Sequence, residues 1–221
     1  MIELTLALIG DEVPVPIHTA IVAGWTGRDR AAVEEHMAEL EAVGVPRPST
    51  APIFYRVSAS RLTTAREIES TAASSGEVEP LLLRHEGELW VGVGSDHTDR
   101  ELETHSVAAS KQLCDKPVAR ELWPYAEVAA HWDQLILRSW IFTDAGEALY
   151  QEGTLEALLP AEDLLTRARP PLDDGVLMFC GTIAARGGIR PANEFRYELE
   201  DPVLGRTIAG RYAMRVLPLI S

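Results

Sequence analysis

Glu77-Val78-Glu79, followed later by Gly94-Ser95-Asp96, brings three carboxylates within twenty residues of one another. In an extended strand, residues i and i+2 point to one face. Glu77 and Glu79 can then reach a single ion, and Asp96 can close on it from a neighbouring segment. A donor set made only of carboxylate oxygens suits Mg²⁺, Mn²⁺ or Ca²⁺ rather than zinc. Read alone, the same pattern also describes a solvated acidic strand face. His97 adjoins Asp96 but points to the opposite side of a strand, so it is not taken as a ligand.

The elements that must position these groups are mostly strands. Residues 2–9 alternate as a strand, Ala20–Gly24 reads as another, and Pro52–Val57 is a short third. Asp29 is placed to cap a helix running to about Val43, with Val33, Met37 and Leu40 as its apolar stripe. Val78–Arg84 and Glu88–Val93 flank His85-Glu86-Gly87, which reads as a hairpin turn. Asp99–Gln112 reads as one helix capped by Thr98 or Asp99. Leu135–Phe142, Val176–Cys180, Phe195–Leu199 and Thr207–Val216 are further strands, and Pro160–Thr166 is a short helix. No βαβ alternation runs through the chain. The expected fold is mostly β with some α, a mixed β-sandwich or β-roll in one domain over residues 1–221.

Composition narrows the partners. The chain has 221 residues, 46% hydrophobic and 24% charged, with a formal net charge of -14. It lacks the dense basic stripe that nucleic acid requires, and it does not suit an anionic membrane surface. Two cysteines, Cys114 and Cys180, make no disulfide framework, so a reduced, cytoplasmic setting is expected. No basic leader opens the sequence, and no apolar run approaches membrane-spanning length.

Several pieces, in order, resemble the fumarylacetoacetate hydrolase-like superfamily, in a divergent branch, from about Val22 to the C-terminus. Glu35-His36-Met37-Ala38-Glu39, the prolines Pro46, Pro48 and Pro52, and Phe54-Tyr55-Arg56 stand where that family has a His-x-x-Glu helix, a proline-rich turn and a Phe-x-Lys strand. Glu77-x-Glu79 matches its metal-binding Glu-x-Glu. The run from Asp96 through Arg100 to Glu103 matches the segment whose first Asp is a ligand, and Lys116 stands twenty residues beyond Asp96. Gly146-Glu147, Gln151 and Phe179-Cys180-Gly181-Thr182 match later turns. Ser95, Asp99, Glu103, Asp115 and Arg56 depart from the family residues, which leaves the substrate open.

The resemblance implies a fold of the fumarylacetoacetate hydrolase C-terminal-domain type, with residues 1–22 as an N-terminal strand region and 29–43 as a lid helix. It implies Glu77, Glu79 and Asp96 as ligands of Mg²⁺ or Mn²⁺, with Ca²⁺ as a further hard cation. His36 is then the base that activates water. Glu39, on the same helical face at i+3, orients it. Lys116 pairs with a substrate oxygen or with the carboxylates, and Arg56 clamps a substrate anion. Gly181 and Thr182 donate to a substrate carboxylate, while Arg100 braces the cluster. The implied activity is hydrolysis of a carbon–carbon bond in a small acylpyruvate-like or other 2-keto acid by a homodimer. A decarboxylase or keto–enol isomerase on the same site, and a non-catalytic metal- or ligand-binding protein, remain the alternatives.

Overall fold

The computed structural model describes residues 1–42, 47–144, 146–218 and 220, with the side chains of His36, Glu39, Leu40 and Ala42 outside the described set. Two sheets dominate. The larger has eight strands, in the order Asp11–Ile17, Ile2–Leu8, Glu121–Pro124, Glu88–Ser95, Val78–His85, Val176–Phe179, Thr19–Gly24 and Ile53–Val57. The smaller has five: Gly146–Thr154, Ile136–Thr143, Glu194–Asp201, Arg206–Val216 and Glu67–Ser70.

Two apolar clusters explain this arrangement. One lies between the sheets: Val78, Leu82, Val91 and Val93 of the large sheet meet Leu137, Ile141, Tyr150, Phe195, Leu199 and Tyr212 of the small one. The other is built largely from the large sheet itself, with Leu6, Ile17, Val22, Leu81, Leu83 and Phe179 drawn together from its edges and centre. The large sheet therefore curls around a core of its own, as expected of a β-roll. Strands buried on both faces read as continuous apolar runs rather than alternating ones, and Pro80-Leu81-Leu82-Leu83 is such a run. Each fully buried leucine there contributes about 1.5–3 kcal/mol.

The hairpin at His85-Glu86-Gly87 forms as expected, with Glu86 and Gly87 both at positive φ, as a type I′ connection requires. The helix after Asp29 runs Arg30–Ala42, and the Asp29 carboxylate accepts from the amides of Ala31 and Ala32. The expected single helix over Asp99–Gln112 is instead two. Arg100–Glu103 is capped by Asp99, and Val107–Leu113 is capped by Ser106, whose hydroxyl accepts from the Ala109 amide. A second capping residue inside the run starts a separate helix. Asp11–Ile17 forms a strand although it holds Pro14 and Pro16; it lies at the sheet edge, where prolines are tolerated. Among the described residues, no helix is long and apolar enough to cross a membrane.

Candidate metal centre

The antiparallel pair Val78–His85 and Glu88–Ser95 sets the site. Val78 pairs with Ser95 and Glu79 with Gly94. One step further, the Asp96 amide donates to the Glu77 carbonyl at 3.0 Å, placing Glu77 across from Asp96. Glu77, Glu79 and Asp96 thus share the face that carries Leu81 and Leu83, and their carboxylate oxygens lie within 4.8 Å of one another. Glu79 and Asp96 are buried, at 3% and 0% exposure. Like charges paired across strands repel, so two buried carboxylates beside the half-buried Glu77 require cations near them.

Three cationic side chains meet that need. Lys116 is wholly buried in the short strand Lys116–Pro117, with its ammonium 3.1 Å from Asp96 Oδ1 and donating to the His97 carbonyl. Lys111, in the last turn of Val107–Leu113, places its ammonium on Asp96 Oδ2. Arg100 bonds Ser75 Oγ at 2.7 Å and spans Glu77 at 3.1 Å and Glu103 at 2.9 Å. Burial disfavours ionised Asp96, but the ammonium groups of Lys111 and Lys116 outweigh it and hold its carboxyl well below the usual range. Burial and then the charge of Asp96 hold the Glu79 carboxyl well above it. The lysines part company. Burial lowers Lys116, which has Asp96 as its nearby carboxylate, whereas Lys111 is raised because Asp96, Glu77, Glu103 and Glu79 together overcome burial.

Other groups hold the carboxylates in place. The Gly181 amide donates to Glu79 Oε2 at 2.8 Å. Gly181 has φ +99°, and an added Cβ would stand 1.7 Å from Thr26 Oγ1, so the turn admits no side chain. The buried Gln151 amide accepts from the Val78 N–H at 2.9 Å and donates to Thr182 Oγ1 at 2.8 Å, and the Thr182 hydroxyl donates to the Val78 carbonyl at 2.8 Å. His97 does face away from Asp96: its ring bonds Tyr212 at 2.9 Å and Ser74 at 2.8 Å.

Two expectations are corrected. Gly181 and Thr182 are not free donors for a substrate carboxylate, because their N–H and hydroxyl are already committed to Glu79 and Val78. Arg56 is not brought to the cluster. It is exposed, with Nη2 3.4 Å from Thr19 Oγ1, while its strand neighbour Tyr55 faces the second core and Lys111. Adjacent strand residues point to opposite faces. His36 and Glu39 fall on the helix Arg30–Ala42, but their side chains lie outside the described residues.

Lys111 was missed, although a signal existed. The chain has only two lysines among its 20 Lys and Arg residues, and both meet the same aspartate. A chain that otherwise uses arginine for every surface cation marks its two lysines as special.

The centre suits a hard divalent cation. Its donors are all carboxylate oxygens, and buried Asp96 Oδ1 has no hydrogen-bond partner despite its contact with Lys116.

The family model described as Protein of unknown function (DUF2848) matches residues 23–212. No curated protein matches the chain. Among solved structures, a protein of Oleispira antarctica provisionally described as a fumarylacetoacetate isomerase/hydrolase superposes with a TM-score of 0.69 at 17% identity, covering 95% of this chain and 99% of that one. A yeast fumarylacetoacetate hydrolase family protein gives 0.65 at 14% identity, covering 92% and 95%. A 2-keto-3-deoxyarabinonate dehydratase gives 0.62 at 12%, covering 93% and 76%. Identities this low establish a shared fold and leave the reaction open. The chain belongs to the DUF2848 family of proteins of unknown function and carries, in divergent form, the fold of the fumarylacetoacetate hydrolases.

Proposed function

We propose that the protein is a divalent-metal-dependent enzyme that hydrolyses a carbon–carbon bond in a small acylpyruvate-like or other 2-keto, 1,3-dicarbonyl acid. The observation that carries this reading is the convergence of half-buried Glu77 with buried Glu79 and Asp96. It occurs in a fold whose solved relatives are described as hydrolases, isomerases and a dehydratase. Glu77, Glu79 and Asp96 would hold Mg²⁺ or Mn²⁺, with Ca²⁺ as the other hard candidate. Such an ion supplies Lewis acidity against the charge that develops on a substrate carbonyl oxygen.

The chain's own groups supply the rest. Lys116, fixed by Asp96 and the His97 carbonyl, stands at the buried side of the cluster. His36 takes a proton from water and Glu39 orients its ring, from a helix that acts as a lid. Gln151 and Gly181 act by positioning, through Val78 and Glu79. The working form is a single-domain, cytoplasmic homodimer acting on a small keto acid.

The test is a screen of acylpyruvates, oxaloacetate and related ring-fission products with Mg²⁺ or Mn²⁺, followed by loss of enol absorbance. Metal-dependent formation of two hydrolysis products, abolished in Asp96→Asn, is the expected result. Absence of turnover across the panel with metal bound would overturn the enzymatic reading and leave a ligand-binding protein. A lyase or isomerase on the same centre is the second reading, favoured by structural relatives described as a dehydratase and an isomerase. Turnover that survives His36→Ala would select it.

A further inference from the structure

We propose that the Lys111 ammonium is a resident cation of this centre and competes with a divalent ion for Asp96, so that loading the centre requires Lys111 to withdraw. The inference rests on the metal reading above.

Formal charge gives the first argument. Glu77, Glu79, Asp96 and Glu103 bring four carboxylates, and Arg100, Lys111 and Lys116 bring three cations. The cluster is thus nearly balanced without any ion. Two further charges, added to a buried site with every cation in place, would meet uncompensated repulsion.

Occupancy gives the second. Each oxygen of Asp96 already faces an ammonium, Lys111 on Oδ2 and Lys116 on Oδ1. A carboxylate oxygen can accept from an ammonium and ligate a metal at once, but the two positive charges then stand almost in contact.

Tethering decides which lysine yields. Lys116 lies in a ladder with Leu62, is wholly buried, and donates to the His97 carbonyl as well as meeting Asp96. Arg100 is held by Ser75, Glu77 and Glu103. Lys111 extends from the last turn of a seven-residue helix, and Asp96 is its hydrogen-bond partner among the described residues. The Tyr55 ring, 6.0 Å from its ammonium, offers an alternative resting place.

Two measurements test this, and neither depends on turnover. The first titrates Mn²⁺ into metal-free protein and follows the free-ion paramagnetic resonance signal. Lys111→Met and Lys111→Gln should bind Mn²⁺ roughly tenfold or more tightly than wild type, while Lys111→Arg should not. Equal or weaker binding in both neutral variants would overturn the competition and leave the metal reading intact. No Mn²⁺ binding in any of the proteins would overturn both. The second uses the native sequence, so it survives a variant that fails to fold. With only two lysines in the chain, ¹³C-lysine labelling gives two side-chain resonances, and saturating Mg²⁺ should shift the Lys111 signal strongly and the Lys116 signal weakly. Bound Mg²⁺ that leaves the Lys111 signal in place would refute the proposal.

Discussion

Asp96→Asn and Glu79→Gln each replace a carboxyl by an amide on the same face, yet they should have unlike effects on stability. Asp96 is the carboxylate that both buried lysines contact, and Lys116 has no other ion-pair partner among the described residues. Neutralising it leaves the buried Lys116 ammonium unpaired and takes from Lys111 the carboxylate it contacts. Breaking a buried pair in this way costs about 3–5 kcal/mol, which for a chain of this length lowers the Tm by roughly 6–20 °C. Glu79 is the opposite case. Burial and the charge of Asp96 already disfavour its ionised form, and a glutamine oxygen can still accept from the Gly181 amide. Glu79→Gln should therefore stay within about 1 kcal/mol of wild type, or exceed it. Both variants are compared with wild type by urea denaturation at pH 7 in a metal chelator. If Glu79→Gln loses as much stability as Asp96→Asn, the assignment of charge across the cluster is wrong.

Two further outcomes follow from the same geometry. Gly181→Ala should lose about 2–6 kcal/mol, combining positive-φ strain with the overlap on Thr26, and Thr26→Ala should restore part of that loss in the double variant; additive losses in chemical denaturation would show that the overlap is not the cause. Burial, followed by Lys116 and Arg100, depresses the His97 imidazole from 6.5 to about 3. Its neutral form therefore contributes stability that is complete above pH 6.5 and is lost as pH falls toward 3, by up to about 1.4 kcal/mol per pH unit. Glu79, with a raised pKa, gives a slope of opposite sign, so the readout is the difference between wild type and His97→Gln in chelator. That difference should shrink between pH 6.5 and 5, and a constant difference would contradict a neutral buried ring.

Much of this site was legible because strand periodicity is simple. Two residues of spacing placed Glu77 and Glu79 together, and the same rule turned His97 away from Asp96. The hairpin at Glu86-Gly87 was legible for a similar reason, since few residues tolerate that turn. Long-range pairing was harder to read. Nothing near Gly181 announces that its amide serves Glu79, 102 residues away. Arg56 looked like an anion clamp by residue type, but the face it takes depends on how its strand joins the sheet edge. The restart of the helix at Ser106 was hidden because Asp99 offered a sufficient cap and no glycine or proline interrupted the run. Lys111 illustrates a different limit: periodicity does not reveal a lysine folded onto a buried aspartate, whereas the scarcity of lysine in the chain does.

On the proposed reading, Glu77, Glu79 and Asp96 hold one divalent ion. The most direct test is equilibrium Mn²⁺ binding to the metal-free protein, wild type against Glu79→Gln, with folding verified in both. One ion per chain in wild type and much weaker binding in Glu79→Gln is the expected result. A wild type that binds no Mn²⁺, or a Glu79→Gln variant that binds it as tightly, would show that these three carboxylates do not form a metal centre.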